Sequence, residues 1–244
     1  MEIALVVLIV LFGALMRTVF GFGEALVTMP LLALISFDLK TSIALIGALG
    51  LLVALPATIR YREHINFAVV RRLVTGSIFG VPVGILLITY VKTSWIMRGL
   101  SIFLVLYGTY SLIKVLRQHQ SKPHLQADAW DYLAGLISGI LGSAYNSHGV
   151  PIVVYGALKK WPVKELRGIL QAHFLCVGVI VVFSHVVSGF WSLEVVKILL
   201  ICLPLLVFTI WLGNWLTYKI NNQQMVKYIY GLLIVFGLIL FVRA

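Results

Sequence analysis

Charge is scarce in this sequence. Only 11% of its 244 residues are Asp, Glu, Lys or Arg, while 61% are hydrophobic and the mean hydropathy is +1.05. No soluble domain needs that much apolar surface, so a soluble globular fold is excluded. Cysteine is scarce too. The two present, Cys176 and Cys202, fall in apolar runs, which argues for packing and against a disulfide or a metal pair. No Gly-Lys-Ser/Thr phosphate loop occurs, so ATP does not drive the chain directly. Period-2 alternation is missing, which removes a membrane β-barrel. No basic region precedes the first apolar run, and cleavage of a signal peptide is not expected.

What is present are apolar runs long enough to span a bilayer, recurring from end to end. They define an all-α polytopic membrane protein. The net charge of +11 does not indicate nucleic acid, because Lys and Arg sit mainly in short loops between the runs and there report orientation. The partners expected are the lipid bilayer and a small anion. Protons are the candidate coupling ion, a homo-oligomer is left open, and no cofactor or metal is expected.

Two stretches organise the chain. Residues 21–30 read GFGEALVTMP and residues 142–151 read GSAYNSHGVP, so that Gly21 matches Gly142 and Pro30 matches Pro151 without a gap. The first lies in an apolar run from Ile3 to about Phe37. As one helix this would be roughly 50 Å long, too long for a hydrocarbon core of about 30 Å, yet it is too short for two full spans. A break near Gly21 and Gly23 resolves the length, as a kinked span or as a re-entrant hairpin. Tyr132–Leu158 poses the same problem with its own glycine-rich interruption.

Three plausible spans follow each: Ile43–Ile59, Leu73–Val91 and Gly99–Ile113, then Gly168–Leu193, Ile198–Tyr218 and Tyr228–Val242. A basic loop carrying Arg60, Arg62, Arg71 and Arg72 has its counterpart in Lys159, Lys160, Lys164 and Arg167. Pro82 pairs with Pro204, and Gly99 with Gly231 after a polar insertion around Asn221–Gln224. The plan is therefore an internal duplication: a first membrane repeat over 1–117, a polar linker over 118–131 and a second repeat over 132–244.

Loop charge separates the two readings of the overlong runs. If each crosses once, the Lys and Arg other than Arg17 divide nine and nine between the sides. If each is re-entrant, one side holds thirteen and the other five, which the positive-inside tendency favours. This arrangement has six full spans, two re-entrant elements, halves of inverted topology and both termini outside, periplasmic for a bacterial inner membrane. Trp95, Trp130, Trp161, Trp191, Tyr218 and Tyr228 near run ends fit an interfacial belt.

The paired stretches hold the candidate site. A broken helix leaves free N–H groups at the start of its second half, and these together with the helix dipole favour an anion. Gly21, Gly23, Gly142 and Gly149 let the backbone turn and a ligand approach closely, or alternatively pack helices tightly. Pro30 and Pro151 kink the second half-helices. Arg17, one turn before Gly21, is too costly for lipid and either meets an anionic substrate or pairs with Glu24 to hold the hairpin. Glu24 is the candidate proton carrier. Asn146, Ser147 and His148 offer amide, hydroxyl and imidazole groups to an oxyanion, with Gln171 and His173 candidates for the same cavity.

The opening GFGEALVTMPLL, followed by a second glycine-rich half closing on a proline, resembles the TauE/SafE family of membrane permeases over nearly the whole chain. The resemblance implies secondary transport of small sulfur-containing anions such as sulfite, sulfoacetate or other organosulfonates, with export as the implied direction. It carries onto Gly21, Gly23 and Pro30, and onto Gly142, Gly149 and Pro151. Ala144 and Tyr145 depart from the glycine-richer pattern. An intramembrane enzyme using Ser143 or Ser147 with His148 or His173 is the rival reading. It lacks an orienting acid and an oxyanion hole and leaves the duplication unexplained. An anion pore lacks charged rings.

Overall fold

The computed structural model of the chain describes residues 2–116, 127–219 and 222–243; most of the expected linker and the start of the polar insertion at Asn221 lie outside the described residues. Regular structure among these residues is entirely helical: α1 (Glu2–Phe20), α2 (Glu24–Leu34), α3 (Leu39–Arg60), α4 (Phe67–Tyr90), α5 (Thr93–Leu116), α6 (Ala129–Tyr145), α7 (Gly149–Leu158), α8 (Val163–Val187), α9 (Leu193–Lys219) and α10 (Asn222–Arg243). Six of them, α1, α3, α4, α5, α8 and α9, are long and apolar enough to cross a membrane. The helices overrun the apolar runs because polar residues cap or extend them. Asp38 caps α3 by accepting from Thr41 N at 2.8 Å, and Asn66 caps α4 by accepting from Val69 N at 3.3 Å. Arg71 and Arg72, expected in a loop, lie in the second turn of α4, and Lys164 and Arg167 lie in the first turns of α8.

The two overlong runs are hairpins. A Cβ built on Gly13 of α1 would fall 1.9 Å from Thr28 Oγ1 of α2, whereas a merely kinked helix would hold those residues about 20 Å apart. At the second break, Tyr155 of α7 hydrogen-bonds Asp131 near the start of α6. Both hairpins therefore fold back towards the end from which they came. The first is unequal, because α1 alone is of span length while α2 has 11 residues.

Contacts also show which ends lie together. Arg60 at the end of α3 bonds Asn214 late in α9, and a Cβ on Gly168 of α8 would sit 2.6 Å from His64 O in the loop before α4. Arg72 of α4 binds Asp128, just before α6, and Asp131 within it. The basic segments around 60–72, 159–167 and 219 thus gather at one end. At the other, Lys40 lies 5.5 Å over the Phe190 ring. Trp95 and Trp130 are exposed near helix ends, as a belt requires, while the Tyr218 and Tyr228 side chains lie outside the described residues.

The most extensive helix pairing is α4 with α6, and glycine makes it. Gly76, Gly80 and Gly84 line one face of α4 at four-residue spacing, opposite Gly135 and Gly139 of α6. Each added Cβ would come within 2.0–2.4 Å of an atom of the other helix, mostly a main-chain oxygen. Backbone thus packs on backbone, the small-residue contact that drives association in lipid, where burial of apolar area supplies little. α5 packs on α10, α1 on α9 and α3 on α8. Cys202 is buried in the core, whereas Cys176, expected to pack, is exposed on α8; both are free thiols.

Candidate functional site

Each hairpin reverses on a left-handed residue. In the first, Gly21 (φ 87°) and Gly23 (φ 94°) separate α1 from α2. In the second, the residue directly after α6 is Asn146, at φ 53°. Asn146 N bonds Gly142 O at 2.8 Å and Ser147 N bonds Leu141 O at 3.0 Å, so two carbonyls near the end of α6 are satisfied across the left-handed residue. Two expectations change here. Gly142 and Gly149 do not turn the chain; both are helical and serve close approach. A Cβ on Gly142 would lie 2.8 Å from His148 Cβ, and one on Gly149 would lie 2.6 Å from Phe174 Cζ. The positional counterpart of Gly21 is accordingly Asn146, one helical turn beyond Gly142.

Pro151 also differs from expectation. It is the third residue of α7, where the missing N–H had no partner to lose, so it fits the first turn without kinking it. Pro30 lies inside α2, where its ring deletes the bond to Leu26 O.

Neither second half-helix has a side-chain cap, and both begin at one buried cavity. Arg17, Gly23 and Glu24 line it from the first hairpin, and Asn146, Ser147, His148 and Gly149 from the second. Gly47 and Gly50 of α3 and Phe174 and Gly178 of α8 contribute as well. Its volume is about 30 Å³, room for the centres of only a few water-sized groups. Gly50 is the twelfth of the 22 residues of α3, which puts the cavity at mid-height of that helix.

Arg17 Nη1 donates to Glu24 Oε2 at 3.0 Å, with the side chains 6% and 5% exposed. The guanidinium also lies 4.5 Å over the Phe174 ring. Glycine at 50 is what admits this pair, since a Cβ there would fall 2.7 Å from Arg17 Nη1 and 3.2 Å from Glu24 Oε2. Asn146 Nδ2 donates to Ile43 O at 2.8 Å, tying the second break to α3. His148 packs edge-on to Phe174 at 4.6 Å, and its main-chain oxygen accepts from Ser138 Oγ at 2.6 Å. After these bonds, Arg17 Nε and Nη2, Glu24 Oε1, Asn146 Oδ1 and His148 Nδ1 have no protein partner although buried. Unpaired buried polar groups are costly, so a cluster of them on one cavity makes it the candidate ligand site.

The remaining sequence candidates lie elsewhere. Gly21 and Gln171 line a second cavity, where Gln171 Nε2 donates to Gly21 O at 2.8 Å. His173 is turned away; its Nε2 meets Ser77 Oγ at 3.0 Å, buried between α4, α6 and α8. Ser143 Oγ donates to Val81 O and Gly139 O, so it faces backbone rather than a histidine. His185 Nε2 lies 3.0 Å from Ser143 O. Sequence reading missed Gly47, Gly50 and Phe174. The glycine pair in IGALG is a visible small-residue signal, whereas nothing distinguishes Phe174 from its apolar neighbours.

Among the described residues, ten α-helices, six of them of span length, fold around a buried cavity lined by polar groups from two helix breaks, the architecture of a polytopic membrane protein. Its residues 5–240 match the family described as Sulfite exporter TauE/SafE, and the chain belongs to that family of membrane transporters. Comparison with curated proteins and with solved structures gives no match.

Proposed function

We propose that the protein is a secondary transporter of the cell membrane that exports a small sulfur-containing oxyanion held in the central cavity. The observation that carries this reading is the meeting, in one buried cavity, of two uncapped helix starts with Arg17 N–H groups that have no partner. Helix starts and a guanidinium both favour an oxyanion over a cation or a neutral solute. Asn146, Ser147, His148 and the backbone at Gly23 and Gly149 complete the site, and the small volume favours sulfite over a longer organosulfonate. Glu24, bonded to Arg17 Nη1, competes with the anion for the guanidinium. That competition provides a route to proton coupling.

Residues 1–117 and 132–244 are read as two repeats of five helices. Helix pairing supports a two-fold relation between them: the fourth helix of each half packs on the first of the other, third meets third, and fifth meets fifth. Inverted halves of this kind alternate access by rocking about a fixed site. The basic end is cytoplasmic by the positive-inside tendency, and the termini are outside. An enzymatic reading finds no support in the seryl contacts. The Ser77–His173 pair is buried with neither residue on the cavity, and Ser147 Oγ donates only to Tyr145 O at 3.3 Å.

The test is sulfite flux in proteoliposomes, against sulfate, thiosulfate, sulfoacetate and taurine, with wild type and Asn146→Ala/His148→Ala. Saturable sulfite flux lost in the double variant is expected. Equal flux of all solutes, or a double variant as active as wild type, refutes the reading.

A further inference from the structure

We propose that the second cavity, between the central one and the basic end of the bundle, is an oxyanion-recruiting site that passes its ligand to the centre through Arg17. The proposal rests on the transporter reading above, and nothing in that reading assigns Arg60, Tyr61, Arg167 or Asn214 a role.

This cavity, of about 50 Å³, lies among α1, α3, α8 and α9, and its polar lining includes Arg17, Arg60, Tyr61, Arg167, Gln171 and Asn214. Three of its lining residues are arginines and none is Asp or Glu. Arg167 is held by neutral groups, donating from Nη1 to Tyr61 Oη at 2.8 Å and from Nη2 to Val19 O at 3.4 Å. Such partners orient a guanidinium without neutralising it. Arg60 Nη1 donates to the amide oxygen of Asn214 across the cavity. Tyr61 lies between the two, with Arg60 and Arg167 carbons 5.8 and 5.9 Å from its ring centre.

Arg17 is the link, because it lines both cavities. Its Nη1 is committed to Glu24 on the central side, while Nε and Nη2, buried in a side chain only 6% exposed, have no partner. Gln171 Oε1 is likewise buried and unpaired, an acceptor suited to the O–H of a monoprotonated oxyanion. An anion in this cavity therefore meets positive charge at its mouth and, at its floor, the guanidinium it shares with the central cavity. The floor is level with the middle of α3, too deep for a lipid headgroup at the interface, so the ligand is a free anion.

A concave, single-sign lining raises the local concentration of its counter-ion and hence the rate of capture. Loss of that effect appears in KM at limiting substrate more than in the maximal rate. For sulfite flux in proteoliposomes, Arg60→Gln/Arg167→Gln is expected to raise KM about tenfold, with maximal rate within about twofold of wild type and a weaker dependence of KM on ionic strength. Arg60→Lys/Arg167→Lys keeps the charge and is expected to recover most of the KM. An unchanged KM, a collapse of maximal rate at constant KM, or failure of the lysine pair to recover it in a protein of normal thermal midpoint overturns the proposal.

Binding separates this proposal from the transporter reading. If wild type carries no sulfite flux, that reading fails, while the cavity stays testable by sulfite protection against thermal unfolding in micelles. Protection of wild type and of Asn146→Ala/His148→Ala, but not of Arg60→Gln/Arg167→Gln, supports the site; equal protection of all three refutes it. Stabilisation by phosphatidylglycerol with none from sulfite assigns the cavity to lipid and equally refutes it.

Discussion

Glu24→Gln tests the central site most directly, because it removes one charge and almost no volume. The pair it disturbs is a single 3.0 Å contact between side chains 6% and 5% exposed. At an effective dielectric of about 20, unit charges about 4 Å apart attract by about 4 kcal/mol. Removing one partner of a buried pair costs about 3–5 kcal/mol, since the remaining charge is left uncompensated. The glutamine oxygen still accepts from Arg17 Nη1, and that bond returns about 1 kcal/mol. A net loss of about 2–4 kcal/mol is therefore expected for the empty protein, read by denaturant unfolding in micelles. Sulfite should reverse much of it. An anion on the Arg17 guanidinium replaces the missing carboxylate, so sulfite should stabilise Glu24→Gln more than wild type. A ligand at a hundred times its Kd adds about 2.7 kcal/mol. The same variant should bind sulfite more tightly, release it more slowly, and show flux insensitive to an imposed pH gradient. A loss below about 1 kcal/mol, or equal stabilisation of both proteins by sulfite, would mean that substrate does not use Arg17, and the proposed competition falls.

Three further outcomes follow from the packing. Gly80→Ala should destabilise by about 1–3 kcal/mol or more, because its Cβ would meet Leu136 O at 2.2 Å, whereas Gly231→Ala, with nothing among the described residues within 4 Å, should be near neutral in the same unfolding assay. Asp131→Asn removes the fully buried carboxylate that Arg72 Nε meets at 2.5 Å and Tyr155 also bonds, and should cost about 2–4 kcal/mol, somewhat below the range for a fully buried pair because Arg72 is partly exposed and retains Asp128. Tyr155→Phe should cost only about 1 kcal/mol in comparison. Finally, cysteines placed at Lys40 and Lys160, with Cys176 replaced by serine, should react with impermeant thiol reagents from opposite faces of the membrane; labelling from one face would refute the re-entrant arrangement.

Much of the architecture was legible from composition and length alone. Lipid cannot hydrogen-bond a backbone, so apolar runs of span length must be helices, and an overlong run with glycines must break. The break between Gly21 and Gly23 was found this way, and the hairpin reading followed from loop charge because loop cations and span count are coupled. The second break was placed where it lies, at Asn146, Ser147 and His148, but the alignment of the two halves was off by one turn. Matching glycine to glycine aligned Gly21 with Gly142. The left-handed position in α6–α7 is instead occupied by Asn146, a side chain that tolerates that conformation without advertising it.

The sequence by itself thus determined that the chain is a polytopic helical membrane protein with two interrupted helices and scarce charge. Those properties depend on local chemistry: residue hydropathy, helix rise and the cost of ions in lipid. Which residues share a cavity was decided only by the tertiary structure. Gln171 and His173 are two positions apart, yet one lines the second cavity and the other turns to Ser77, because helical rotation of about 200° separates them. Gly50, distant in sequence from both breaks, admits the Arg17–Glu24 pair only because α3 crosses the first hairpin at that height. The second cavity, assembled from four helices, has no local signature at all: Arg60 and Arg167 were visible as loop charge, and only packing brings them to one lining with Arg17.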